Sequence, residues 1–72
     1  MLTDEELHER YYYHKPNERK QELHDLINKK MEDVASVVEH NLPEGREKSL
    51  VHTKLEEARS WANSAIARSK DL

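Results

Sequence analysis

Three consecutive tyrosines, Tyr11, Tyr12 and Tyr13, run straight into His14 and Lys15. That segment combines flat π surfaces, phenolic donors and positive charge. A nucleobase stacked on such a ring gains about 1–3 kcal/mol, and Lys or protonated His can neutralise a phosphate. The same tyrosines would equally suit the open end of a helical hairpin or a seam between subunits, because aromatic anchors are enriched at interfaces of every kind. A second candidate is Gly45-Arg46-Glu47-Lys48. A helix that begins there would present backbone N–H groups beside two cations, a setting that can hold an anion. Ordinary turn chemistry with a solvated charged face accounts for the segment just as well.

Nothing comparable points to catalysis. The chain has no cysteine, and it contains no glycine-rich phosphate loop, no H-E-x-x-H and no G-x-S-x-G turn. His8, His14, His24, His40 and His52 are numerous for 72 residues. Only His52 and Glu56 stand one helical turn apart in a useful relation, and two ligands do not make a metal site. The expectation is a binding protein rather than an enzyme, with no metal and no cofactor.

Composition narrows the class further. Hydrophobic residues make up 35 % of the chain, phenylalanine is absent, and 38 % of positions are Asp, Glu, Lys or Arg. So polar a chain cannot build a thick core from itself, and another copy is the simplest source of the missing burial. The formal net charge of −3 and a pI near 5.9 weigh against a DNA or RNA binder, which must displace counterions along many phosphates. A small anion held by a few local cations stays compatible with that charge. The apolar runs are far too short to cross a membrane, and the acidic N-terminus is unlike a signal peptide. A soluble cytosolic protein is the expectation.

The elements that would position these residues follow from spacing. Thr3-Asp4-Glu5-Glu6 reads as a capping box opening a short helical turn that ends near Arg10. Tyr11 to Pro16 reads as extended, since proline disfavours the helical region for the residue before it. Asn17 is a good N-cap. From there Leu23, Ile27, Met31, Val34, Val38 and Asn41 recur at 4-4-3-4-3 spacing, which predicts a long amphipathic helix of about 36 Å. Asn41-Leu42-Pro43-Glu44-Gly45 is a turn. Beyond it Val51, Leu55, Ala58, Ala62 and Ala65 keep 4-3-4-3 spacing, and the small alanines predict a close helix–helix approach. Two long helices joined by a short turn lie antiparallel, which sets Val38 opposite about Leu50, Asn28 opposite about Arg59 and Asn17 opposite about Lys70. The fold expected is all-α: one domain over 1–72, with an N-terminal segment 1–16, a helix 17–41, a turn 42–45 and a helix 46–69. Leu26, Val37, Trp61 and Ile66 fall beside the seam, so homo-oligomerisation is expected as well.

Tyr13-His14-Lys15-Pro16, Arg46-Glu47-Lys48-Ser49-Leu50, Thr53-Lys54-Leu55-Glu56-Glu57-Ala58 and Trp61-Ala62-Asn63-Ser64-Ala65-Ile66-Ala67-Arg68 together resemble a family of short phage-encoded helical hairpins. These are the anti-CBASS and anti-Thoeris sponges that sequester cyclic oligonucleotide messengers. The resemblance implies a hexamer-like assembly with pockets between protomers, holding a cyclic di- or trinucleotide without cleaving it, in the cytoplasm of an infected bacterium. It implies base stacking on Tyr13, with Tyr12, His14 and Lys15 beside it. It implies a phosphate contact fifteen positions later, where this chain departs from the family's basic residue with Asn28, followed by Lys29 and Lys30. Arg46 is a further candidate from the turn. A second, trinucleotide site in some members corresponds to Ser64 and Arg68, where the loss of one arginine implies a site that is weakened or absent. The rival reading is a helical module that docks on a protein through its apolar stripe and takes no small molecule.

Overall fold

The computed structural model describes residues 1–11 and 17–72, and among them every regular element is helical: α1 spans Asp4–Tyr11, α2 Glu18–Asn41 and α3 Arg46–Arg68. Each begins for a local reason. The Glu6 amide donates to Thr3 Oγ1 at 3.1 Å, and the Thr3 hydroxyl donates to the Glu6 carboxylate at 3.2 Å, a side-chain variant of the capping box. Asn17 caps α2 by accepting from the Lys20 amide at 2.7 Å. Gly45, at φ 151°, precedes α3 with no side-chain cap. That φ is open to glycine and strained for other residues.

One boundary differs from the sequence reading. Tyr11 closes α1 instead of opening an extended segment. The steric restriction from Pro16 acts on Lys15 alone, so nothing local bars Tyr11 from the last turn of a helix. The extended conformation expected for Tyr12 to Pro16 lies outside the described residues.

α2 and α3 pack antiparallel along one seam, in the register expected from the turn. Lys48 at the start of α3 meets Glu39 near the end of α2. Asn63 reaches Asn28, and the Asn17 side chain donates to the Leu72 carbonyl at 3.0 Å. Near the open end, Lys70 lies 3.4 Å from Glu5 and 3.9 Å from Glu9, drawing α1 toward the end of α3.

The seam is more polar than its spacing suggested. Its buried apolar side chains are Val38 and Ile66, each 8 % exposed, and Lys48 is buried with them at 5 %. Lys20, His24, Asn28, His52 and Asn63 are half-buried alongside. Val34, which the sequence pattern put in the seam, is 48 % exposed. Ala58 and Ala65 are exposed too, so the close approach expected of three alanines rests on Ala62. The physical reason is that polar side chains on the two helices bond each other across the seam. Those bonds rotate both helices away from the arrangement that a purely apolar stripe would choose.

The result is flat. The molecule measures 46 × 32 × 15 Å with a radius of gyration of 15.5 Å, against about 11 Å for a compact domain of this length. Its accessible surface is 6082 Å², where a compact folded chain of 8.6 kDa would show about 4,700 Å². Much of that surface is apolar: Leu26, Val34, Val37, Leu50 and Trp61 are all exposed. Leu26, Val34 and Val37 follow one another at helical spacing down the side of α2 turned away from the polar ties.

With so few side chains inside, each carries weight. Ile66→Ala should cost about 2–4 kcal/mol, read as a lower urea midpoint by circular dichroism. A loss well under about 1 kcal/mol would mean that Ile66 is not part of the packed seam.

Candidate ligand-binding site

The polar ties across the seam form three stations, and each commits particular side chains. At the turn, the Lys48 ammonium donates to the Glu39 backbone carbonyl at 2.9 Å and to the Glu44 carboxylate at 2.6 Å, and stands 3.4 Å from the Glu39 carboxylate. It thus satisfies one of the carbonyls left open at the end of α2, where a cation also suits the helix dipole. His52 Nε2 adds a 3.0 Å contact to the same Glu39 carboxylate. Lys48 is therefore spent on the fold. Of the turn's two candidate cations, only Arg46 is exposed.

At mid-length, His24 Nδ1 lies 2.6 Å from Asn63 Oδ1, and Asn63 Nδ2 donates to Asn28 Oδ1 at 2.9 Å. At the open end, Lys20 Nζ donates to the Ala67 carbonyl at 3.0 Å. That leaves Lys20 as another structural cation.

Between the first two stations the hairpin opens into a cleft of about 320 Å³, lined by Asn28, Met31, Glu32, Ala35, His52, Leu55, Glu56 and Arg59. Met31, Ala35 and Leu55 contribute apolar side chains, while Asn28 and Arg59 supply donors and Glu32 and Glu56 supply acids. A second groove, about 370 Å³, lies between α1 and α3, where Trp61, Arg68, Ser64 and Ala67 meet Glu9 and Arg10. Trp61 is 68 % exposed there.

The sequence candidates fall into separate places. Tyr12, Tyr13, His14 and Lys15 lie outside the described residues. Asn28 lines the central cleft, whereas Lys29, one position on, points away and pairs with Asp33 at 3.0 Å. The hydrogen bond to Asp33 and its charge raise the Lys29 pKa. Arg46 sits at the turn and Arg68 at the far end of α3, so a single chain does not bring them together. Sequence reasoning placed Arg59 opposite Asn28 without making it a candidate, and it treated Trp61 only as apolar surface. Asn63 was missed as the partner of Asn28 and His24 as the partner of Asn63, although the expected register sets Asn63 opposite His24 and one turn beyond Arg59.

Among the described residues, no three His, Asp or Glu side chains converge as metal ligands, and no helix is long and apolar enough to cross a membrane. The described surface presents amide and guanidinium donors, at Asn28, Arg46 and Arg59, beside uncovered apolar side chains such as Leu26, Val37 and Trp61.

The profile described as Acb2/Tad1, hairpin domain, matches residues 3–67. This chain belongs to the Acb2/Tad1 hairpin family. That is the anti-CBASS and anti-Thoeris sponge family, a family of binding proteins rather than enzymes. No curated protein and no solved structure matches the chain. The Acb2/Tad1 match covers α1 and α2 whole and α3 to its penultimate residue, so it embraces all three stations, the central cleft and the second groove apart from Arg68.

The turn station has a pH signature. The hydrogen bond from His52, then the bond and charge of Lys48, hold the Glu39 carboxyl below its ordinary value of 4.5. The bond to Glu44 raises Lys48 above 10.5 against the opposing effect of burial, and Glu39 adds to the rise. A lowered carboxyl stabilises the fold fully above its unfolded value and loses that contribution as pH falls through the folded one. A raised ammonium contributes fully below its unfolded value and loses it as pH rises through the folded one. The urea midpoint should therefore fall below pH 4.5 and again above 10.5. Glu39→Gln should flatten the acid limb, and an acid limb unchanged in that variant would contradict the assignment.

Proposed function

We propose that this chain is a phage immune-evasion sponge, binding cyclic oligonucleotide messengers, cyclic dinucleotides first, in pockets between protomers and releasing them unaltered. The observation that carries the reading is the family match over residues 3–67, because it spans both helices that would wall such a pocket. Charge is consistent with it. A cyclic dinucleotide carries two phosphates and two bases, so it needs a few cations and flat faces, which an acidic protein can still provide. The proposed contacts are Tyr13 stacking on a base, flanked by Tyr12, His14 and Lys15, with Asn28, Lys29, Arg46 and Arg68 as polar partners contributed by more than one copy.

Shared pockets require assembly, and a homo-oligomer, favoured as a hexamer, is part of the proposal. The exposed apolar side chains of α2 and α3 support it, since contiguous uncovered apolar surface marks a place of association. The setting would be the cytoplasm of the infected host, with neither DNA nor a membrane as partner. The exposed Trp61 also favours one rival, a hairpin that docks on another protein and takes no nucleotide. Ligand binding separates the two.

The test is calorimetry with a panel of cyclic di- and trinucleotides, followed by recovery of the ligand after heat denaturation of the complex. Saturable binding and an intact ligand are expected. Tyr13→Ala should weaken binding by at least about 1 kcal/mol, the low end for one stacked base, with the assembly unchanged. No binding to any member of the panel would overturn the proposal, and a cleaved ligand would overturn its non-enzymatic half.

A further inference from the structure

The chain His24–Asn63–Asn28 has a direction, and the direction decides what Asn28 has left to offer. Asn63 Nδ2 donates to Asn28 Oδ1 at 2.9 Å, and Asn63 Oδ1 lies 2.6 Å from His24 Nδ1. A side-chain amide has one acceptor oxygen and one donor nitrogen. Since Asn63 donates through its nitrogen, its oxygen must accept, and His24 must carry its proton on Nδ1. At the other end, the Asn28 oxygen is occupied, so Asn28 can add only N–H donors to the cleft that it lines with Arg59. Among the described residues no acceptor takes those donors up, and all three side chains are half-buried in the seam, where an amide does not turn over freely.

We propose that Asn63 and His24 are positioning residues that lock Asn28 as an N–H donor toward an anionic oxygen, so that a neutral amide does the work of a cation at this point of the ligand site. The inference rests on the sponge reading for the identity of the ligand, a phosphodiester oxygen. The orientation itself follows from the hydrogen bonds alone. His24 sets the direction: its Nδ1–H fixes the Asn63 oxygen, which turns the Asn63 nitrogen to Asn28.

Asn63→Asp separates orientation from shape. Aspartate is nearly isosteric, still accepts from His24, and cannot donate to Asn28. Asn28 would turn its nitrogen inward to the new carboxylate and present its oxygen to the ligand. With cyclic di-AMP and cyclic di-GMP as probes, Asn63→Asp should bind at least about tenfold more weakly than the parent for whichever probe the parent binds, with helicity and assembly unchanged. Binding at parental strength in a folded Asn63→Asp variant overturns the positioning role, and it leaves the sponge reading standing if Tyr13→Ala still weakens binding. A parent that binds neither probe nor any other cyclic oligonucleotide overturns both.

A second readout needs no variant and no ligand. Nitrogen-15 spectroscopy of the unmodified protein near neutral pH should show His24 protonated at Nδ1. The Nε2–H tautomer there would overturn the inference even if Asn63→Asp proved unable to fold.

Discussion

A pair of antiparallel helices shares one seam, and whatever apolar surface lies off that seam stays in water unless something else covers it. In this chain the seam is narrow and partly polar. Val38 and Ile66 are its buried apolar side chains, and a lysine lies between the helices with them. The thinness of the molecule, 15 Å across, has the same origin: among the described residues no further layer packs on the pair. Single-chain stability is therefore modest by construction, and the apolar sides of α2 and α3 are available to another molecule.

Register, by contrast, is fixed tightly. Lys48 ties the turn, the His24–Asn63–Asn28 chain ties the middle, and Lys20 with Asn17 ties the open end. Each tie matches a particular donor to a particular acceptor, so sliding one helix by a turn would strand several half-buried polar groups at once. Apolar contacts alone would tolerate such a slip more easily. Polar cross-links in the seam hold α2 and α3 rigidly to each other, while apolar surface outside it remains uncovered. That division suits a protein whose ligand contacts are proposed to come from more than one copy, because each copy must present its residues in a set position.

The helices were legible from local chemistry. Asn17 is a capping residue by type, Pro43 and Gly45 interrupt the pattern between two amphipathic runs, and the turn length alone dictates an antiparallel pair. The rotation of the helices about their axes was not legible. Hydrophobic spacing assigned Val34, Ala58 and Ala65 inward, whereas the cross-helix bonds of His24, Asn28, Lys48 and His52 decide which face meets which. Such bonds depend on residues up to 39 positions apart, and no single helix advertises them. Tyr11 shows the same limit on a smaller scale. The influence of Pro16 reaches one residue back, and reading it further back misplaced the end of α1. Of the site, the sequence offered the residue types and the family pattern. It did not show that Lys48 is consumed by the fold, that Lys29 is turned to Asp33, or that Asn28 is oriented by partners on the other helix.

Assembly into shared pockets depends on a flat hairpin with more apolar surface than it can cover by itself. Sedimentation equilibrium of the unmodified chain at micromolar concentration, without ligand, addresses that claim most directly. A discrete oligomer is expected, with about 52 kDa for six copies of 8.6 kDa. A homogeneous species of 8.6 kDa that keeps full helical content and melts cooperatively would contradict it.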